Sequence, residues 1–141
     1  EDDLFDGLVK TLKENQQKTE ASWVKYQGEK GKAQIEETRR TTKGWSVTDW
    51  QIFMKEITDI LNALAALITQ NVTHEAEETQ GLIKKHFDLV STTCFYDKES
   101  YLKFASYLED PEQITKLQTI HPDLAVFMAT AMKTFAEKNL E

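Results

Sequence analysis

From Trp50 the apolar residues fall at Trp50, Phe53, Met54, Ile57, Ile60, Leu61, Leu64, Leu67 and Ile68. Steps of three and four keep them on one face of an α-helix for about five turns. A chain built around such a stripe must find other helices to cover it, and the remaining sequence supplies them. Five glycines and two prolines in 141 residues are too little punctuation for a β sandwich or barrel. Ser46, with Asp49 three positions on, predicts a capped start for the long helix, Asp standing in for the usual Glu or Gln. A further helix is expected from near Thr73, with Leu82, Ile83, Phe87 and Val90 on one side. Asp97 is placed to cap the next, which turns Tyr101, Phe104, Ala105 and Leu108 inward. Asp110-Pro111-Glu112-Gln113 reads as N-cap, first-turn proline and Gln at N3. Pro122 opens the last helix, striped by Leu124, Phe127, Met128, Ala131 and Phe135. Five helices over residues 46–141 with short loops predict a compact all-α domain.

A chain of about 100–200 residues is normally one domain with enough core to need no staple. Residues 46–141 carry fifteen acidic against eight basic side chains, so the whole net charge of −7 resides there. Residues 1–45 balance at nine of each. An acidic body repels phosphate backbones, which argues against direct nucleic-acid binding. Arg39-Arg40 with Lys43 reads as a solvated face. The lone Cys94 excludes an intrachain disulfide framework and any multi-cysteine zinc site, which points to a reducing, cytoplasmic setting. No run approaches 18 apolar residues, and Glu1-Asp2-Asp3 is the opposite of a signal peptide's basic start. No membrane partner is expected. A first residue other than Met leads us to expect a fragment or processed chain with a partner domain outside it.

The first 45 residues differ from the rest. Leu4, Phe5, Leu8, Val9 and Leu12 form a short amphipathic stripe. Beyond it, residues 16–42 hold Trp23, Tyr26, Ile35 and scattered Ala and Val among charged and amide side chains. So little apolar surface does not offset the entropy of ordering. Residues 1–45 are therefore expected to be a marginally stable helical segment that needs a partner surface, beside a core of residues 46–141.

Signatures of catalysis are absent. There is no glycine-rich phosphate loop, GxSxG elbow, HExxH or supported Cys–His–Asn arrangement, so no enzyme is expected. His86 and Cys94 offer at most two ligands where zinc takes four, or three plus water. No metal or cofactor is expected. The aromatics say more. Of fourteen, most sit at helical spacing and belong to the core. Trp23, Tyr26 and Trp45 instead sit in polar surroundings, and Phe95-Tyr96 sit on a loop. Off-stripe aromatics are what a helical domain uses to hold an organic ligand in a groove.

The C-terminal third, from Phe95-Tyr96-Asp97 through Tyr107-x-x-Asp110 to Ile120-x-Pro122-x-Leu124-Ala125, resembles the TipAS antibiotic-recognition domain. Upstream, Leu4-Phe5-Asp6-Gly7, Trp23, Arg39-Arg40 and Trp45-Ser46-x-x-Asp49-Trp50 are similar to that family's N-terminal positions. The resemblance implies a globin-like all-α fold that binds bulky aromatic or heterocyclic antibiotics in a cleft. It further implies the effector domain of a MerR-type transcriptional activator. Full-length proteins of that kind are homodimers that reach DNA through a winged helix-turn-helix domain placed before this segment. In the family, mobile N-terminal helices close over the ligand. Several members carry a nucleophilic cysteine where this chain has Lys98, Cys94 stands where the family often has Trp, and Asp123 replaces a glycine. These departures argue against covalent thiopeptide capture.

The expected ligand-binding residues are Trp23, Trp45, Trp50, Phe87, Phe95, Tyr96 and Tyr101, acting by stacking and shape, with Lys98 as a polar contact. The alternative is a helical protein-interaction or dimerisation module without a small ligand, docking through the Leu4–Leu12 stripe.

Overall fold

The computed structural model of the chain describes residues 17–141, so the Leu4–Leu12 stripe lies outside the described residues. Within them the fold is all-α. Helix α1 covers residues 17–27, followed by α2 (Glu29–Thr42), α3 (Val47–Thr69), α4 (Glu77–Val90), α5 (Lys98–Leu108), α6 (Pro111–Leu117) and α7 (Leu124–Asn139). No helix among the described residues is long and apolar enough to cross a membrane.

The local signals that set these helices are mostly the expected ones. Ser46 Oγ accepts from the Asp49 amide at 3.1 Å, and Asp49 Oδ2 accepts from the Ser46 amide at 2.8 Å, closing a capping box on α3. Asp97 and Ser100 do the same for α5. Asp110 caps α6 through the Glu112 amide, with Pro111 at the first position. Gln113 does not turn back to the cap; its amide donates to the Tyr107 hydroxyl at 3.0 Å. Helix α4 begins four residues later than the sequence predicts. The chain leaves α3 through Asn71 at φ 62 and makes a turn closed by the Ala76 amide on Thr73 O at 3.2 Å. Buried Thr79 ties that turn down with a 2.8 Å bond from its hydroxyl to the same carbonyl. Helix α7 begins at Leu124, two residues past Pro122.

Helix α7 is the centre of the body, lying against α3, α4, α5 and α6. It buries Ala125, Ala129, Ala131 and Ala136 beside Leu124, Met128, Met132 and Phe135. Leu64 of α3, Ile83 of α4 and Tyr101 of α5 fill the core around it. The N-terminal half of α3 projects beyond this body: its first buried residue is Ile60, and Val47, Ile52 and Met54 are exposed.

Helices α1 and α2 form a hairpin turned at Gly28, whose φ of 70 favours glycine. Gly31 is needed for a different reason, since a Cβ there would meet Gln27 Cβ at 2.8 Å. No helix of α3–α7 approaches α2 to within 8 Å between Cα atoms. Helix α2 reaches the body through side chains, Lys30 and Glu37 among them.

His86 of α4 is buried, with Nδ1 2.9 Å from the Tyr101 hydroxyl. Burial pushes its pKa down from 6.5 to about 4. Between those values the unfolded chain binds the proton that the folded state refuses. Stability is therefore present above pH 6.5 and falls as pH drops toward 4, by up to about 1.4 kcal/mol per unit. We predict that His86→Gln, which keeps a partner for Tyr101 and does not titrate, flattens this loss. Urea midpoints from about pH 7 to about pH 4.5 check it; equal slopes in both proteins would contradict it.

Candidate functional site

Between the hairpin and the body lies a cleft of about 460 Å³, a size that accommodates a drug-sized ligand. Trp23 of α1 forms one wall. Its indole N–H donates to Gln34 Oε1 of α2 at 2.8 Å, and its ring meets Phe104 at 4.9 Å and Tyr107 at 5.3 Å between centroids. Trp50 and Phe53, from the projecting half of α3, form the facing wall. Val90, Cys94 and Tyr96, at the end of α4 and the loop after it, also line the space. Its charged lining residues, Glu20 and Arg39, pair with each other at 2.6 Å. The rest of the lining is apolar, hydroxyl or amide.

Besides Trp23, the side chains of Tyr26, Gln27, Lys30 and Glu37 join the hairpin to the body. The Gln27 amide donates to Ser100 O at 2.9 Å, and Glu37 accepts from the Phe95 amide at 2.7 Å. Lys30 pairs with Asp97 Oδ2, while Asp97 Oδ1 caps α5 through the Ser100 amide. Tyr26 stacks on Tyr107 at 5.5 Å, and its hydroxyl donates to Asp110 Oδ1 at 2.6 Å, while Asp110 Oδ2 caps α6. The Lys30 ammonium, and next the Ser100 amide, hold the Asp97 carboxyl down to about 2. Asp110 is likewise held below its ordinary value, first by the Tyr26 hydroxyl.

Of the eight residues expected from the sequence, Trp23, Trp50 and Tyr96 line the cleft. Trp45 packs on Trp50 at 4.8 Å and on Phe53 at 5.6 Å, behind that wall. Tyr101 is fully buried in the core, and half-buried Phe87 packs against its ring at 5.0 Å, so neither lines the cleft. Phe95 is 68% exposed. Lys98 pairs with Glu137 of α7 at 2.9 Å. Other cleft residues were not singled out as a site. Phe104 and Leu108 read as core, because a cleft wall on a helix has the same period as a core stripe. Tyr107 was visible only within the family motif, and Gln34 carried no signal. Among the described residues no three His, Cys, Asp or Glu side chains gather to hold a metal.

The TipAS antibiotic-recognition domain profile matches residues 16–135, most of the chain. The chain belongs to this family. No curated protein and no solved structure matches it. TipAS domains recognise ligands, and the described arrangement of an aromatic cleft under a helical hairpin fits that role.

In this TipAS domain Cys94 borders the cleft but is buried, and burial raises its thiol above the ordinary value, against smaller opposing hydrogen bonds from Tyr96 and Thr38. A neutral thiol is a poor nucleophile. We predict no fast adduct with a dehydroalanine-containing thiopeptide. Intact-mass spectrometry decides it: a rapid stoichiometric adduct, lost in Cys94→Ser, would overturn the prediction.

Proposed function

We propose that the domain senses a bulky aromatic or heterocyclic antibiotic or drug in this cleft, as the effector domain of a MerR-type transcriptional regulator. The observation that carries the proposal is the 460 Å³ space walled by aromatic rings from both the hairpin and the body. The family match supports it. A MerR-type context implies a homodimer whose DNA contacts belong to a winged helix-turn-helix domain, leaving this domain to bind ligand rather than catalyse. Trp23, Trp50 and Tyr96 would touch the ligand directly, joined by Phe104 and Tyr107. Trp45 would back Trp50, and Phe87 and Tyr101 would hold α5 and its cleft wall in place. Phe95 and Lys98 point to a role only if the hairpin rearranges around the ligand.

Residues 1–45 then act as the lid. A ligand between Trp23 and Trp50 joins the hairpin to α3, where the two now meet across open space. Each aromatic ring covered contributes at most a few kcal/mol at about 25 cal/mol per Å². Ordering each residue costs about 1–2 kcal/mol, so ligand area can decide whether the hairpin stays closed. Lid closure is the population shift that a coupled DNA-binding domain would read.

Thiopeptides and other multidrug-type antibiotics, titrated against tryptophan fluorescence and thermal midpoint, test the proposal; silence across the panel would defeat it. For any compound that binds, Trp50→Ala should weaken affinity by about tenfold while leaving the melting point nearly unchanged, because Trp50 is 39% exposed. Hydrogen exchange tests the lid. Tyr26→Phe together with Lys30→Ala should speed amides of residues 17–42 and leave α5 and α6 protected, since each cap oxygen is kept. Bound ligand should slow the same amides in the wild type. Uniformly slow exchange in the free protein would mean a permanently docked hairpin.

The exposed Val47, Ile52 and Met54 on the projecting half of α3 favour a second reading, a protein-interaction or dimerisation face. Sedimentation separates the two: a tight dimer broken by Met54→Glu, with no ligand response, would favour the second.

A further inference from the structure

Gln34 sits on α2 at the cleft wall, 5% exposed. Its Oε1 accepts the Trp23 indole N–H at 2.8 Å. An indole nitrogen only donates, so the amide cannot be flipped without setting two donors against each other. The orientation of Gln34 is thus fixed by Trp23, and its Nε2 is left buried with no hydrogen-bond partner. A buried donor without an acceptor is costly and uncommon in a folded protein. The hydroxyls around it do not relieve it. Thr42 and Thr93, whose hydroxyls donate to Thr38 O and Val90 O at 2.7 Å each, keep lone pairs that could accept, but no hydroxyl oxygen lies within hydrogen-bonding reach of Nε2. With Glu20 and Arg39 paired to each other, the cleft offers no unpaired charge of its own at this wall. What it lacks is an acceptor beside the ring of Trp23.

We propose that Gln34 is the polar selector of the cleft: its Nε2 donates to an uncharged acceptor on the ligand, such as an amide, lactam or ketone carbonyl attached to an aromatic system. This rests on the cleft being the ligand site, and on α2 shifting as the ligand enters, since Nε2 has almost no accessible surface in the closed structure. The selected class is neutral, flat and carbonyl-bearing. A ligand of the same shape that lacks the carbonyl leaves Nε2 unsatisfied, and a ligand that presents an ammonium there sets donor against donor. Trp23 is then both a stacking surface and a positioning residue, because its N–H aims the amide.

The probes are fluorenone and fluorene, which share a tricyclic skeleton and differ in one carbonyl. Tryptophan quenching should give fluorenone the tighter binding in the wild type, by about threefold to tenfold, the worth of one hydrogen bond. Gln34→Met, similar in length and without polar atoms, should bind both at the fluorene level, with its near-ultraviolet circular dichroism checked for an intact fold. A second measurement needs no variant: in heteronuclear NMR of the wild type, the Gln34 side-chain amide resonances should move with fluorenone and stay with fluorene. A carbonyl preference that survives Gln34→Met, or Gln34 resonances that respond equally to both compounds, overturns the proposal and leaves the cleft reading standing. Equal affinity of the two compounds in the wild type does the same. Binding of neither removes this proposal together with the reading beneath it.

Discussion

A helix with neighbours on several sides can be packed closely only where its own side chains are small. Helix α7 meets α3, α4, α5 and α6, and alanine at positions 125, 129, 131 and 136 lets their backbones come near. Leu124, Met132 and Phe135 then fill the spaces between crossings. This arrangement determines where the cleft can be. Helix α5 turns Tyr101 toward Phe135 of α7, at 6.0 Å between rings, and buries Ala105. The adjoining flank of the same helix carries Phe104 and Tyr107 to the cleft, with Leu108 at the boundary between core and cleft. One helix thus contributes to the core along one face and to the cleft along the adjoining flank, so α7 backs the cleft wall.

The hairpin is attached to this body by unusual economy of groups. Asp97 and Asp110 each divide their two oxygens, one to the helix they cap and one to the hairpin. Capping is a local matter that needs a single oxygen per amide. The second oxygen is available to a passing ammonium or phenol without loss to the cap. Loss of the hairpin contacts would thereby leave the caps of α5 and α6 intact, as the proposed lid would require. Surface and half-exposed charge contacts of this kind are weak individually. Stacking of Tyr26 on Tyr107 and insertion of Trp23 beside Phe104 add the apolar share.

The helical body was legible because its signals are local. The stripe from Trp50 to Ile68, the Ser46–Asp49 box and the caps at Asp97 and Asp110 each involve residues within a few positions of one another. The start of α4 was misplaced because a glutamate pair and a threonine do not reveal that Thr79 will bond to Thr73 and hold a turn there. The site was legible only in part. Trp23 stands out by its polar surroundings, Tyr96 by its loop position and Trp50 only through the family motif, and all three line the cleft. Phe95 gave the same signal as Tyr96, yet the loop turns one ring inward and its neighbour outward. Gln34 was invisible because its meaning depends on Trp23, eleven residues earlier on a different helix.

Aromatic walls bind by area and shape, and every flat organic surface has some of each. Selectivity in such a space must therefore come from its few polar atoms, and discrimination is strongest where a ligand's failure leaves a buried group unpaired. Here the Thr42 and Thr93 protons are already given to backbone carbonyls, and the charged lining residues Glu20 and Arg39 face each other. The cleft is thus permissive toward apolar shape and demanding at one amide. That division also connects recognition to the hairpin, since the demanding group lies on α2 and is aimed by α1. On the proposed reading, a ligand that satisfied it would touch both arms of the hairpin at once, while Trp50 and Phe104 would hold its rings to the body. Chemical fit and hairpin closure would then be two aspects of the same contact.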